Sequence, residues 1–176
     1  MKRNKRQQII ETTLDLFKNT HDIKQVSLEN IADKAGISPT TIYNNFGSRE
    51  NLIFEVIKAL TRQMLEKNTE LVKSELPFPQ KLISIMSNKM NTVSSYDEAL
   101  IEKMISQDER IAPFIDKIYT EEIKPLWIKI MEEGKEQGYV NPEIDTEAVI
   151  LYLDVLKEKP EIFRHFKDNL NMIMQL

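Results

Sequence analysis

The chain has 176 residues, of which 41% are hydrophobic and 30% are charged, and it contains no cysteine. This composition is typical of a globular protein, and it excludes a disulfide framework and a thiolate site. The formal net charge is −4, but residues 1–50 hold eight Lys/Arg against six Asp/Glu, whereas the remainder holds 16 against 22. The acidic total argues against a protein that coats chromatin, and any local contact with nucleic acid is expected at the basic N-terminal end.

The first residues form a basic arm. Four basic residues precede the first acidic one, Glu11: Lys2, Arg3, Lys5 and Arg6. Such an arm can contact phosphates, and a solvated tail is the alternative. The start lacks the apolar core of a signal peptide, and no apolar run approaches the roughly 18 residues that a membrane-spanning helix needs. We therefore expect a soluble, cytoplasmic protein.

Residues 27–52 contain two short helical periods separated by a glycine turn. The first period begins behind Ser27 as N-cap, and its apolar residues recur at i, i+3, i+4 and i+7: Leu28, Ile31, Ala32 and Ala35. Gly36 can adopt the left-handed conformation at little cost, so it ends this helix in a tight turn. The pattern is the signature of a helix-turn-helix, which reads DNA.

The second period starts at Ser38 as N-cap, with Pro39 at the first helical position. Ile42 and Phe46 are four residues apart and are expected to point into the core. The remaining sides carry groups that can bond DNA: Thr40, Thr41, Tyr43, Asn44 and Asn45. Threonine and asparagine can recognise base edges, and a polar, solvated helix face is the alternative interpretation.

The chain resembles the TetR family of bacterial transcriptional regulators over about its first third, through these motifs: Thr13-x-x-Leu16-Phe17, Ser27-Leu28-x-x-Ile31-Ala32-x-x-Ala35-Gly36-Ile37-Ser38, Ile42-Tyr43-x-x-Phe46 and Arg49-Glu50-x-Leu52. The resemblance implies an all-α protein. It implies a three-helix, helix-turn-helix DNA-binding domain over residues 1–48. A larger helical domain for effector binding and dimerisation would follow over residues 49–176.

The resemblance also implies which side chains contact DNA. Base contacts are expected from the second helix of the motif: Pro39, Thr40, Thr41, Asn44 and Asn45. Phosphate contacts are expected from Ser27, Tyr43 and Arg49, whose hydroxyl, phenol and guanidinium groups are suitable donors. Lys5 and Arg6 of the basic arm are added to the phosphate set.

Beyond Leu52 the spacing of apolar residues predicts helix after helix. The first covers residues 49 to about 73, and the next covers 80–94. Ser95-x-x-Glu98 reads as a capping box that begins another. A long helix over 111–137 is predicted to be kinked at Pro125 and ended by Gly138. Two further helices follow Asp145 and Lys159-Pro160.

The last two helices are predicted to form a four-helix interface with a second copy. The helix after Asp145 is apolar nearly all round, which implies more than one packing neighbour, and the final helix carries an amphipathic stripe. The resemblance implies the same homodimer, with two recognition helices about 34 Å apart on a palindromic site. Ordinary core within one chain is the alternative. The expected interface residues are Val149, Leu153, Leu156, Phe163, Phe166, Leu170 and Ile173.

The middle of the chain contains large, adaptable side chains that would suit a pocket for an apolar ligand. They are Phe78, Met86, Met90, Met104, Phe114, Tyr119, Trp127, Met131 and Tyr152. Ordinary core packing is the alternative at each position. The resemblance implies release of DNA on ligand binding, while activation, or regulation without a small ligand, stays open.

An enzyme, a cofactor or a metal site is not predicted. The sequence has no Gly-rich phosphate loop, and its two histidines, His21 and His165, are far apart. Glu161 and His165 share a helix face, but one such pair is half of a metal site at most. The predicted function is a sequence-specific DNA-binding regulator. The rival is a helical protein-interaction module that keeps the helix-turn-helix for structure alone.

Overall fold

The structure, a computed structural model, describes residues 4–20 and 26–157. Every regular element within these ranges is helical, which confirms the predicted all-α class. The helices are α1 (Lys5–Lys18), α2 (Leu28–Ala35), α3 (Pro39–Phe46), α4 (Arg49–Lys73), α5 (Phe78–Ser94), α6 (Glu98–Gln107), α7 (Ile111–Ile118), α8 (Lys124–Glu136) and α9 (Thr146–Lys157). None of them is long and apolar enough to cross a membrane.

The long helix predicted over 111–137 is divided before Pro125, the predicted site of a kink, by a π-helical turn over Tyr119–Ile123 between α7 and α8. Pro125 has no N–H, so the carbonyl one turn before it loses its helical partner and the local hydrogen bonding changes register. Gly138, with φ +76°, follows the end of α8 as predicted.

The predicted capping box at Ser95 is wrong. Helix α6 begins at Glu98, and the Ile101 N–H donates to the Asp97 carbonyl at 3.1 Å. The Ser95 hydroxyl instead donates to the Asn91 carbonyl at 2.6 Å. A serine near a helix end can bond the carbonyl one turn earlier, and here that bond extends the end of α5.

The chain packs as two compact units, Met1–Glu122 and Ile123–Leu176. In the first unit, α1, α2 and α3 pack together and on α4 around one apolar core. Met104 of α6 and Ile111 of α7 are buried in that same core. The corner between α6 and α7 therefore shares its packing with the helix-turn-helix. The predicted boundary after residue 48 separates a DNA-binding domain from a ligand-binding and dimerisation domain. That division is by function and not by packing, and it stays a prediction.

In the second unit, α8 packs against α9, with Ile130 and Ile150 buried. Glu132 joins the two helices: it accepts hydrogen bonds from the Thr146 hydroxyl and from Lys135. These contacts fix one side of α9. Its other sides carry exposed apolar residues, namely Leu151, Tyr152 and Val155.

Candidate nucleic-acid interface

The turn of the helix-turn-helix is a Schellman motif. Gly36 has φ +66°, its N–H donates to the Asp33 carbonyl at 3.2 Å, and the Ile37 N–H donates to the Ala32 carbonyl at 3.0 Å. A side chain at Gly36 would meet no atom within 4 Å, so the requirement for glycine comes from the backbone conformation. The direction in which α3 leaves α2 is therefore fixed locally.

Helix α3 begins as the sequence predicts. The Ser38 side chain accepts from the Thr41 N–H at 3.2 Å, and Pro39 occupies the first turn. Ile42 and Phe46 are buried, so the opposite sides of the helix face solvent. That solvent-facing surface carries Pro39, Thr40 and Asn44, which are exposed, and Tyr43, which is 62% exposed.

Two other predicted base contacts, Thr41 and Asn45, are tied into α3 itself. The Asn45 side-chain amide donates to the Thr41 carbonyl at 2.7 Å, and the Thr41 hydroxyl lies 3.0 Å from the Ser38 hydroxyl. Both residues are half-buried. The outward surface of α3 consequently consists of Pro39, Thr40, Tyr43 and Asn44, and we call these four residues the α3 surface.

Two predicted phosphate contacts also have structural partners. The Ser27 hydroxyl accepts from the Asn30 N–H at 3.2 Å, which caps α2, and the Arg49 Nε donates to the Val26 carbonyl at 3.0 Å. A backbone hydrogen bond and a bond from the Ser27 hydroxyl lower the pKa of Glu29, so this carboxylate is stabilised beside the cap. Ser27 and Arg49 thus hold the chain together at the start of α2 and of α4.

Arg6 is a structural brace between three helices. Its Nη1 donates to the Asn45 carbonyl at 2.7 Å, its Nη2 lies 3.1 Å from Glu55, and its guanidinium carbon lies 4.5 Å from the centre of the Phe46 ring. Burial raises the pKa of Glu55, but bonds from Lys58 and Arg6 outweigh it and leave that pKa below its ordinary value. Sequence reasoning assigned Arg6 to phosphate and missed this role. Lys5, its neighbour, is exposed.

Side chains from α1 also brace α2. The Gln8 amide donates to the Ala35 carbonyl at 2.9 Å, at the end of α2, and Lys34 pairs with Asp15 at 2.7 Å. The sequence analysis did not single out Gln8 or Asp15, because nothing in the local pattern shows which helix they face. Together with Arg6, they make α1 the support of the helix-turn-helix.

The nine predicted pocket residues differ in burial, and their role in a ligand pocket stays a prediction. Met104 and Phe78 are buried, and Tyr152 is exposed. Met86, Phe114, Tyr119, Trp127 and Met131 are half-buried, and the Met90 side chain lies outside the described part of the structure. Of the predicted dimer residues, Val149 is half-buried. The side chains of Leu153 and Leu156 lie outside the described part, as do Phe163, Phe166, Leu170 and Ile173.

A polar cleft of about 290 Å³ lies between the end of α1, the middle of α4 and the end of α5. None of the nine predicted residues is among its described lining, which is Lys18, Leu60, Gln63, Met64, Lys67, Asn68, Asn88, Asn91, Ser95 and Tyr96. The Oδ1 atom of Asn68 is buried, and no described donor lies within hydrogen-bonding distance of it. Buried acceptors in proteins are normally hydrogen-bonded, so this oxygen favours the binding of a ligand or a water molecule that donates a hydrogen bond to it.

The helix-turn-helix and its flanks match a known family of proteins. Residues 9–56 fit the model of the bacterial regulatory proteins of the tetR family, a span that runs from α1 into α4 and includes the α3 surface. The chain carries a DNA-binding domain of the TetR family. It is a DNA-binding transcriptional regulator, as its relatives are.

Individual relatives are more distant. This chain is 23% identical over 157 residues to the HTH-type transcriptional repressor KstR2 of Rhodococcus jostii, covering 86% of this chain and 76% of the relative. It is 25% identical over 149 residues to the fatty acid metabolism regulator protein of Bacillus subtilis, covering 82% and 75%. FadR of Bacillus subtilis in complex with stearoyl-CoA shares the fold, with TM-score 0.61, 18% identity and coverage of 93% and 88%.

Proposed function

We propose that this regulator is a homodimeric repressor that acts in the cytoplasm, binds a palindromic operator and is released from it by a small-molecule ligand that has an apolar part. The observation that carries the proposal is the α3 surface, which presents hydrogen-bonding groups to solvent from a helix whose direction is fixed by the Gly36 turn. Proteins that its sequence resembles are named as repressors, which favours repression over activation.

Within this proposal, Pro39, Thr40 and Asn44 read bases, and Thr41 and Asn45 contribute once α3 is seated in the major groove. Tyr43, Ser27, Arg49, Lys5 and Arg6 contact phosphates. An exposed asparagine can pair with adenine through two hydrogen bonds, whereas an exposed phenol donates one bond to a phosphate oxygen. The α3 surface therefore combines a residue that discriminates sequences with one that holds the backbone.

The proposal is tested by selecting binding sites from random duplex DNA, followed by affinity measurements on the selected and a scrambled duplex across a salt series. We expect a palindrome to be enriched, with a preference of about a thousandfold or more over scrambled DNA. Weak, uniform affinity without enrichment would favour the interaction-module alternative instead.

Two substitutions on the α3 surface separate base reading from phosphate contact. Asn44→Ala should cost about 1–3 kcal/mol on the selected duplex and change the preferred base at one position. Tyr43→Phe should weaken the free energy of binding to all duplexes by a similar amount, about 1 kcal/mol. The measurement is a binding isotherm on the selected duplex and on single-base variants of it.

The matched control is Tyr139→Phe, which removes the hydroxyl of a similarly exposed tyrosine outside the segment that matches the family. It should leave every isotherm unchanged. An equal loss on all duplexes for both Asn44→Ala and Tyr43→Phe would contradict the division of roles.

The dimer in this proposal uses α9. Leu151, Tyr152 and Val155 are exposed on one side of that helix, and Leu151 and Val155 are four residues apart and therefore neighbours on its surface. A second copy, related by a two-fold axis, would cover them, and the two copies would supply one α3 surface for each half of a palindromic site.

The ligand in this proposal has an apolar part and a polar, anionic end, as stearoyl-CoA does, the molecule in the structure of FadR from Bacillus subtilis. Lys18 and Lys67 in the polar cleft offer positive charge to phosphates, and amide groups of coenzyme A can donate to the Asn68 Oδ1. We therefore expect stearoyl-CoA to release the regulator from the selected duplex, and free coenzyme A or stearate to do so poorly.

Lys67→Gln should raise the concentration of stearoyl-CoA that gives half-release about threefold, because one partly screened phosphate contact is lost. Operator affinity without ligand should not change. Lys73→Gln, on the same helix but outside the cleft, is the control. If stearoyl-CoA releases nothing while the selected duplex is bound, the regulator works with another ligand or without one.

A further inference from the structure

The C-terminal end of α3 is capped by a side chain from the next helix. The Asn51 amide, in the first turn of α4, donates from Nδ2 to the Phe46 carbonyl at 2.9 Å. The last carbonyls of a helix lack intrahelical partners, so this bond satisfies one of them and fixes the end of α3 against α4. The Arg6 bond to the Asn45 carbonyl does the same for its neighbour.

The orientation of the Asn51 amide is set from a third place in the chain. Its Oδ1 accepts from the Arg110 Nη1 at 2.8 Å. Because a guanidinium can only donate, it requires the oxygen of the amide on its side, and this turns the NH₂ group toward the Phe46 carbonyl. Arg110, Asn51 and the Phe46 carbonyl thus form a chain of two hydrogen bonds, which we call the Arg110 relay.

Arg110 itself is held on two sides. Its guanidinium makes paired bonds with the Asp108 carboxylate, at 2.8 Å to Oδ1 and 2.6 Å to Oδ2, and it lies 4.7 Å from the centre of the Phe54 ring. These bonds hold the pKa of Asp108 below its ordinary value, so the carboxylate is charged at neutral pH. Because the guanidinium is planar and fixed by these contacts, its Nη1 group points in a defined direction, toward Asn51.

The relay starts in the corner between α6 and α7, which also supplies Met104 and Ile111 to the core beneath the helix-turn-helix. A displacement of that corner would move apolar contacts and the relay together. Neither Arg110 nor Asn51 belongs to the α3 surface. Their effect on DNA would pass through the position of α3 alone.

We infer that Arg110 and Asn51 are positioning residues for the recognition helix. The relay aligns the last turn of α3, next to Tyr43 and Asn44. Loss of Asn51 removes the donor to the Phe46 carbonyl, and loss of Arg110 removes the bond that orients this donor, so the two residues act as one unit.

The test is a double-mutant cycle with Asn51→Ala and Arg110→Gln, read by affinity for the selected duplex and by hydrogen exchange of the α3 amides in the free protein. Each single variant should weaken binding about tenfold, and the double variant should weaken it by about the same factor instead of a hundredfold. The slope of log affinity against log salt should stay unchanged, since no phosphate contact is removed. Exchange at the C-terminal end of α3 should accelerate.

Two further variants separate positioning from general stability. Arg62→Gln removes another arginine–carboxylate pair, with Glu122 at 2.6 Å, that has no bond to α3, and it should change neither readout. Arg110→Lys keeps the charge but cannot hold Asp108 and Asn51 in the same geometry, so it should behave as Arg110→Gln does. Additive losses, or unchanged exchange in α3 for Arg110→Lys, would overturn the inference. The exchange readout needs no operator, so it stays decisive even if the site selection fails.

Discussion

Replacing Leu151 with glutamate is expected to convert the proposed dimer into monomers and to lower affinity for the selected palindrome about a hundredfold or more. Leu151 is 64% exposed on α9, beside Tyr152 and Val155. A two-fold interface repeats each substitution, so two carboxylates would enter one apolar contact without partners. Each monomer would then hold one half-site alone.

The measurement is sedimentation velocity together with binding to full and half palindromes. Ile83→Glu is a matched control, because Ile83 is 58% exposed on α5 and receives the same change in charge. The control should sediment as the unchanged protein does. A Leu151→Glu variant that stays dimeric and binds the palindrome normally would place the interface elsewhere.

The α9 helix also shows where sequence reasoning stops. Its apolar residues occur nearly all round the helix. The spacing therefore predicts a helix but does not show which of its faces is buried. The prediction named Val149, which is half-buried, and did not name Leu151 or Val155, which are exposed. The second copy that would distinguish the faces is not encoded in any local pattern.

The helix-turn-helix was predictable for the opposite reason. Its caps, its glycine turn and its apolar spacing all act within four or five residues, and the structure has Ser27, Gly36 and Ser38 in those roles. Contacts between distant segments were not predictable. Arg6 and Asn45 are 39 residues apart, and Arg110 and Asn51 are 59 apart.

The polar cleft was not predicted, because it too is formed by segments that are far apart in the sequence. Its lining comes from α1, α4, α5 and the segment after α5, and the residues are mostly amides and lysines, which any solvated helix face contains. A search for large apolar side chains therefore pointed to residues such as Met104, which is buried in the core beneath the helix-turn-helix.

The second large effect is expected at the start of α1. Arg6→Ala should lower the free energy of unfolding by about 2–3 kcal/mol, because it removes a charged hydrogen bond to the Asn45 carbonyl, a cation–π contact with Phe46 and a partly exposed ion pair with Glu55. Operator affinity should fall as well, since α3 loses its link to α1. Urea unfolding followed by circular dichroism gives the first quantity, and the binding isotherm gives the second.

Lys5→Ala supplies the contrast, because Lys5 is the exposed neighbour of Arg6 and was predicted to contact phosphate. Its unfolding free energy should change by less than about 0.5 kcal/mol, while its salt slope should fall by about one. Arg6 would differ by losing stability before any DNA is present. If Arg6→Ala unfolded like Lys5→Ala and changed only the salt slope, Arg6 would act as a phosphate contact alone, and the brace between α1, α3 and α4 would contribute little to stability.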